Sequence, residues 1–194
     1  MSQPFQAVIF DMDGTLVDSR IDFAVVRADL GVPADRPILE TLDAWPRDRR
    51  QAAYRRLMEH ERAAAQTARL CPRALETLAE IRQAGLKVAL LTRNARPVME
   101  EVLERFGLRF DLAWSREAGP IKPQPDGILR ACRELGVAPA NTMCVGDFHY
   151  DILAANAAGA VSVLLSSASR PSYAAQARHV IAGLAELPAL LGIA

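Results

Sequence analysis

Short runs dense in Val, Ile, Leu and Phe alternate with longer segments of helical period, and this alternation constrains the fold more than any other feature of the chain. The runs cover residues 6–10, 87–91, 112–114, 142–145 and 161–165. Most are continuously apolar, as strands covered by helices on both faces must be. The helical segments between them have legible ends. Residues 72–84 carry Leu75, Leu78, Ala79 and Ile81 at helical spacing and stop at Gly85. Asn94 is placed to cap a helix that runs through Val98, Val102 and Leu103 to Gly107. Pro125 opens a third, with Ile128, Leu129, Cys132 and Leu135 inward and Gly136 at its end. The pattern predicts an α/β fold with a doubly wound, Rossmann-like parallel sheet.

One segment breaks the alternation. Residues 20–70 carry no strand signal, only helical stretches over 21–30 and 46–70 with room for a short one between. The second stretch is dense in charge, with Arg47, Asp48, Arg49, Arg50, Arg55, Arg56, Glu59, Glu61 and Arg62. Those arginines could recognise an anion; a solvated helix face with acid–base pairing is the preferred reading. The expected organisation is a core of residues 1–19 and 71–194 carrying 20–70 as a small helical insertion.

Composition narrows the partners. With 194 residues, 51% of them hydrophobic, the chain has material for one full core. The 23 Lys+Arg against 23 Asp+Glu leave no basic surplus for nucleic acid or an anionic membrane. No apolar run is long enough to span a bilayer, and the stretch before Asp11 lacks the basic flank of a signal peptide, so a cytoplasmic protein is expected. Cys71, Cys132 and Cys144 fit neither a disulfide framework nor a zinc site and are expected to be reduced, with Cys144 in the core.

The chemistry concentrates where strands end. Val8-Ile9-Phe10 runs into Asp11-Met12-Asp13-Gly14-Thr15, so two carboxylates leave one strand near the edge where open α/β sheets bind ligands. A common Asp-Gly turn accounts for part of this pattern. A second acidic pair, Asp147 and Asp151, follows the strand 142–145. If both strand ends lie on one edge, four carboxylates converge, and an all-oxygen set of that charge selects Mg²⁺. His149 lies between the second pair, either as a metal ligand or base or as a loop residue. Thr92-Arg93-Asn94 places a hydroxyl and backbone N–H groups just before a helix, where anions bind. The chain has two lysines: Lys87 starts its strand at the far edge, whereas Lys122 sits in the proline-stiffened loop Ile121-Lys122-Pro123 before another helix. A lysine kept there by an arginine-rich chain suits a compact point charge.

Asp11-x-Asp13-Gly14-Thr15, Thr92, Lys122 and Gly146-Asp147-x-x-x-Asp151 resemble, in order and spacing, the four motifs of the haloacid dehalogenase superfamily of hydrolases. The resemblance covers nearly the whole chain, and the helical insertion looks like a shortened cap of the phosphoglycolate phosphatase-like branch. It implies a Mg²⁺-dependent phosphatase acting on a small phosphorylated metabolite through an aspartyl-phosphate. Asp11 is then the nucleophile and Asp13 the acid and base. Asp11, the backbone carbonyl of Asp13, and Asp147 hold Mg²⁺, with Asp151 orienting one of its water ligands. Thr92 and Lys122 grip the phosphoryl oxygens, and Gly14, Thr15, Arg93 and Asn94 complete the phosphate-binding set. Arg93 stands where many relatives have asparagine.

The presence of Asp13 disfavours dehalogenation, and the absence of lysine from 20–70 disfavours phosphonate cleavage. The motifs do not separate a phosphatase from a phosphomutase. A phospho-acceptor signalling domain shares the Asp, Thr and Lys set, but its acceptor follows the third strand rather than the first. The oligomeric state is not encoded in any of these patterns.

Overall fold

The computed structural model describes residues 5–166 and 170–193. In chain order the elements are β1 (Ala7–Phe10), β2 (Val17–Asp18), α1 (Phe23–Leu30), α2 (Ile38–Asp43), α3 (Arg47–Thr67), β3 (Arg69–Leu70), α4 (Ala74–Gln83) and β4 (Lys87–Leu91). There follow α5 (Arg96–Phe106), β5 (Leu112–Trp114), α6 (Asp126–Leu135), β6 (Thr142–Gly146), α7 (His149–Ala158), β7 (Val161–Leu165), β8 (His179–Ile181) and α8 (Leu187–Leu191). Six strands form one parallel sheet in the order β5-β4-β1-β6-β7-β8. The expected doubly wound α/β core is therefore present, with β1 near the centre and the chain extending the sheet first on one side and then on the other.

Both faces of the sheet are dry, which is why its strands read as unbroken apolar runs. Ile9, Ala89, Leu91 and Cys144 pack in one cluster with Ile128, Ala131 and Cys132 of α6 and Ala154, Ala155 and Ala158 of α7. By strand alternation Val8, Phe10, Val88, Leu90, Met143 and Val145 point to the opposite face, and they too are buried. All three cysteines are free, and Cys144 is in the core.

Three elements depart from the sequence reading. The stretch 46–70 ends its helix at Thr67, because Arg69 and Leu70 pair antiparallel with Asp18 and Val17 as the second strand of a small hairpin. Two-residue strands are too short to leave a periodic signal. Strand β8 is likewise short, and it closes the sheet beside β7. Asn94 does not cap α5: the cap position is Ala95, and the Asn94 side chain is engaged elsewhere.

Residues 19–68 form a compact unit distinct from residues 1–18 and 69–194. Within it, Asp22 caps α1 by accepting the N–H groups of Ala24 and Val25 at 2.9 and 3.1 Å. Asp29 on α1 accepts from Arg56 and, at 2.9 Å, pairs with His60 Nε2, both on α3; these hydrogen bonds hold its carboxyl down at about 2. Tyr54 donates to Asp43 Oδ1 at 2.8 Å, Arg50 donates to the Asp43 carbonyl, and Arg49 lies over the Trp45 ring. Arg49, Arg50, Tyr54, Arg56 and His60 of α3 are thus engaged within the unit. Among the described residues no helix is long and apolar enough to cross a membrane.

Because Leu90 is fully buried in β4, Leu90→Ala removes packing that the sheet cannot recover by collapse. The expected loss is about 2–5 kcal/mol of unfolding free energy by urea titration. A change below about 1 kcal/mol would mean that this face of the sheet is not packed as described.

Candidate active site

The strands β4, β1 and β6 end level with one another, since Phe10 is in register with Leu90 on one side and Val145 on the other. The residues that follow therefore emerge on one edge. Asp11 donates its N–H to the Val145 carbonyl at 2.9 Å, and Thr92 donates its N–H to the Trp114 carbonyl at 2.9 Å. Lys122 arrives on the loop between β5 and α6, and Asp151 stands on the first turn of α7.

Here Asp11, Asp147 and Asp151 each offer a carboxylate oxygen, all within 4.8 Å of one another. The Lys122 ammonium sits 2.5 Å from Asp11 Oδ1 and 2.6 Å from Asp151 Oδ1, with only 9% of its side chain exposed. Asp151 uses its other oxygen to accept the Phe148 N–H at 3.1 Å, which fixes the start of α7. Two glycines make this crowding possible. A Cβ on Gly14, whose φ is +76°, would lie 2.2 Å from Asp147 Oδ2; one on Gly146 would lie 2.2 Å from Asp151 Cγ.

The cluster holds three carboxylates and one ammonium, which pairs with Asp11 and Asp151, so negative charge is in surplus. Burial opposes the charge on Lys122, but Asp11 and Asp151 outweigh it and hold the amine above its ordinary value. Burial, reinforced by the neighbouring acids, raises Asp11 well above the usual carboxylate range. Burial and Asp151 together push Asp147 up to about 7. The donor set fits a hard divalent cation: all oxygen, anionic in excess, and held in a cradle that a single Cβ would fill.

Other candidates divide. Asp13 stands outside the carboxylate cluster, and its Oδ2 accepts from Asn94 Nδ2 at 2.6 Å. Thr92 is buried, with Oγ1 accepting the Asn94 N–H at 3.2 Å. Thr15 Oγ1 is buried and has no hydrogen-bond partner among the described residues. The Arg93 guanidinium donates to the Lys122 carbonyl and lies over the Tyr150 ring, 4.6 Å from its centroid. His149 is apart from the acids, paired with Gln176 Oε1 at 3.0 Å and stacked on Tyr173. Sequence reasoning missed the aromatic group beside the acids. Phe148 meets Tyr150 and Tyr173 edge-on, and Tyr173 donates to the Asp147 carbonyl at 3.3 Å. The only hint was two aromatic residues between Asp147 and Asp151.

The family model of the haloacid dehalogenase-like hydrolases matches residues 36–159. A haloacid dehalogenase-like hydrolase domain-containing protein of Arabidopsis thaliana is 33% identical over 177 residues, covering 85% of this chain and 72% of that protein. The chain belongs to the haloacid dehalogenase-like hydrolases. A phosphoglycolate phosphatase of Thiobacillus denitrificans is 30% identical over 185 residues, covering 80% of this chain and 81% of its own length. A hydrolase of the family from Deinococcus radiodurans, solved with bound phosphate and sodium, superposes with a TM-score of 0.72 at 25% identity, covering 99% of this chain and 98% of that one.

Two outcomes follow from the geometry. Gly14→Ala forces a Cβ into the Asp147 carboxylate at a backbone angle alanine avoids. Mg²⁺ affinity by calorimetry should fall at least ~10-fold, the scale of lost support around a metal site; unchanged affinity would place the cation elsewhere. The second concerns pH. In the metal-free protein Asp147 keeps its proton up to about 7 instead of its ordinary 3.8. The folded state then binds more protons than the unfolded one across that window, and this group's contribution lowers stability as pH rises through it. A cation must displace the proton, so the rise in Tm produced by Mg²⁺ should grow as pH increases toward about 7 and level off above it. An increment independent of pH across that window would contradict a cation on Asp147.

Proposed function

We propose that this hydrolase is a Mg²⁺-dependent phosphatase that cleaves a small, phosphorylated metabolite, a phosphate monoester of the phosphoglycolate kind, through an aspartyl-phosphate on Asp11. One observation carries the reading. The Lys122 ammonium bridges Asp11 and Asp151 while Asp147 completes an acidic pocket short of positive charge. An anionic nucleophile meets an anionic ester only where cations offset both. The phosphoglycolate phosphatase relatives and the phosphate bound in a structural neighbour support the same chemistry.

Asp11 would attack phosphorus with a carboxylate oxygen as the ester P–O bond breaks, and Asp13 would give its proton to the departing oxygen. Asp13, now a carboxylate, would take a proton from water, whose oxygen attacks the same phosphorus and releases Asp11 and inorganic phosphate. Asn94 donates to Asp13 Oδ2 and so holds the orientation of that carboxyl. Lys122 and Thr92 would hold phosphoryl oxygens, with Gly14, Thr15 and the backbone of residues 93 and 94 around them. Asp11, the Asp13 carbonyl, Asp147 and Asp151 would hold Mg²⁺, which supplies charge stabilisation to the phosphoryl group when bound. The helical insertion, 20–70 by sequence, would act as the cap that selects the leaving group.

Phosphate release from a panel of phosphorylated metabolites, with and without Mg²⁺, tests the proposal. Asp11→Asn should lower kcat by ~10³-fold or more, and Asp13→Asn by ~10²–10⁴-fold with Mg²⁺ binding retained. Turnover by the Asp11 variant equal to wild type would remove the nucleophile. Isomerisation of a sugar phosphate without phosphate release would make the protein a mutase instead.

A further inference from the structure

The side chain of Arg93 joins three segments that the mechanism must keep in register. It begins on the loop after β4, beside Thr92 and Asn94. Its guanidinium donates to the backbone carbonyl of Lys122, on the loop before α6. The same planar group lies over Tyr150, on the first turn of α7 one residue before Asp151. Tyr150 is itself seated, with its ring edge-on to Phe148 at 5.0 Å. The base of the clamp is anchored from behind. Arg116 donates its side chain to the Arg93 carbonyl at 3.2 Å and its backbone N–H to the Asn94 carbonyl at 3.1 Å.

We propose that Arg93 is a positioning residue that sets the height of the Lys122 loop over the acidic cluster, so that one ammonium meets Asp11 and Asp151 together. A lysine side chain is a long flexible stem, and the location of its charge depends on where the backbone anchors it. Fixing the carbonyl of that same residue fixes the root of the stem. A guanidinium can donate in its plane and stack through its face at once, whereas a lysine at position 93 could do only one of these. A displacement of about 1 Å at such a site lowers rate by about 100-fold. This reading gives Arg93 an effect on turnover without contact between its charge and the phosphoryl group.

The kinetic arm rests on the phosphatase proposal; a second arm does not. In Arg93→Ala, amide hydrogen exchange should quicken in residues 119–124 and in the first turn of α7, with or without Mg²⁺ and whatever the enzyme's substrate. In phosphate release, kcat should fall about 10–100-fold with KM within about 3-fold of wild type. Arg93→Lys should resemble Arg93→Ala rather than wild type, and added guanidinium ion should restore part of the lost kcat in the alanine variant. Tyr150→Ala should lower kcat on its own but add little in the Arg93→Ala background. A raised KM with unchanged kcat, or full activity in Arg93→Lys, would overturn the proposal in favour of a direct charge contact with phosphate. Unchanged exchange in both segments would overturn the clamp itself. If wild type releases no phosphate from any ester, the exchange arm still decides between these outcomes and only the functional reading is lost.

Discussion

A buried ammonium held between two carboxylates governs this structure. Lys122 lies within hydrogen-bond distance of both Asp11 and Asp151, and all three groups are largely withdrawn from water. Burial of that much charge is tolerable only when each group has a partner, and the partners here come from different parts of the chain. Asp11 ends the central strand, Asp151 opens a helix, and Lys122 arrives on a loop. The order of the sheet answers to this requirement. Placing β1 between β4 and β6, with their ends in register, is what delivers the acids and the loops around them to a common edge.

Close approach is then a matter of backbone, not side chains. The loop after β1 turns at Gly14 in a left-handed conformation, and the absence of a Cβ there and at Gly146 lets Asp147 and Asp151 settle against the main chain. Burial first, and the neighbouring carboxylates after it, raise the pKa values of Asp11 and Asp147. A pocket of this kind is poised for a cation by its own energetics: every acid in it is more comfortable with a positive charge nearby.

The α/β core and the gathering of acids were legible because apolar runs that stop abruptly at Asp11 and just before Asp147 carry their own boundary signal. Lys122 stood out by its rarity in an arginine-rich chain. What escaped was non-local or too brief to be periodic. Asn94 looks like a helix cap because a local pattern cannot reveal Asp13, 81 residues away, which takes its side chain instead. Arg93 reads as an anion donor until the Lys122 carbonyl and the Tyr150 ring are in place. The hairpin of β2 and β3 joins four residues that flank residues 19–68 on either side, and no short window of sequence contains both strands.

That hairpin has a consequence for how such a protein can change. The points where the chain departs from the α/β unit and returns to it are adjacent rungs of one antiparallel ladder, Val17 opposite Leu70 and Asp18 opposite Arg69. Whatever lies between them is, for the sheet, a single closed excursion. Closing a longer excursion costs only the slow logarithmic rise of loop entropy. Evolution can therefore extend, trim or replace residues 19–68 while the sheet edge that carries the acids inherits the same geometry.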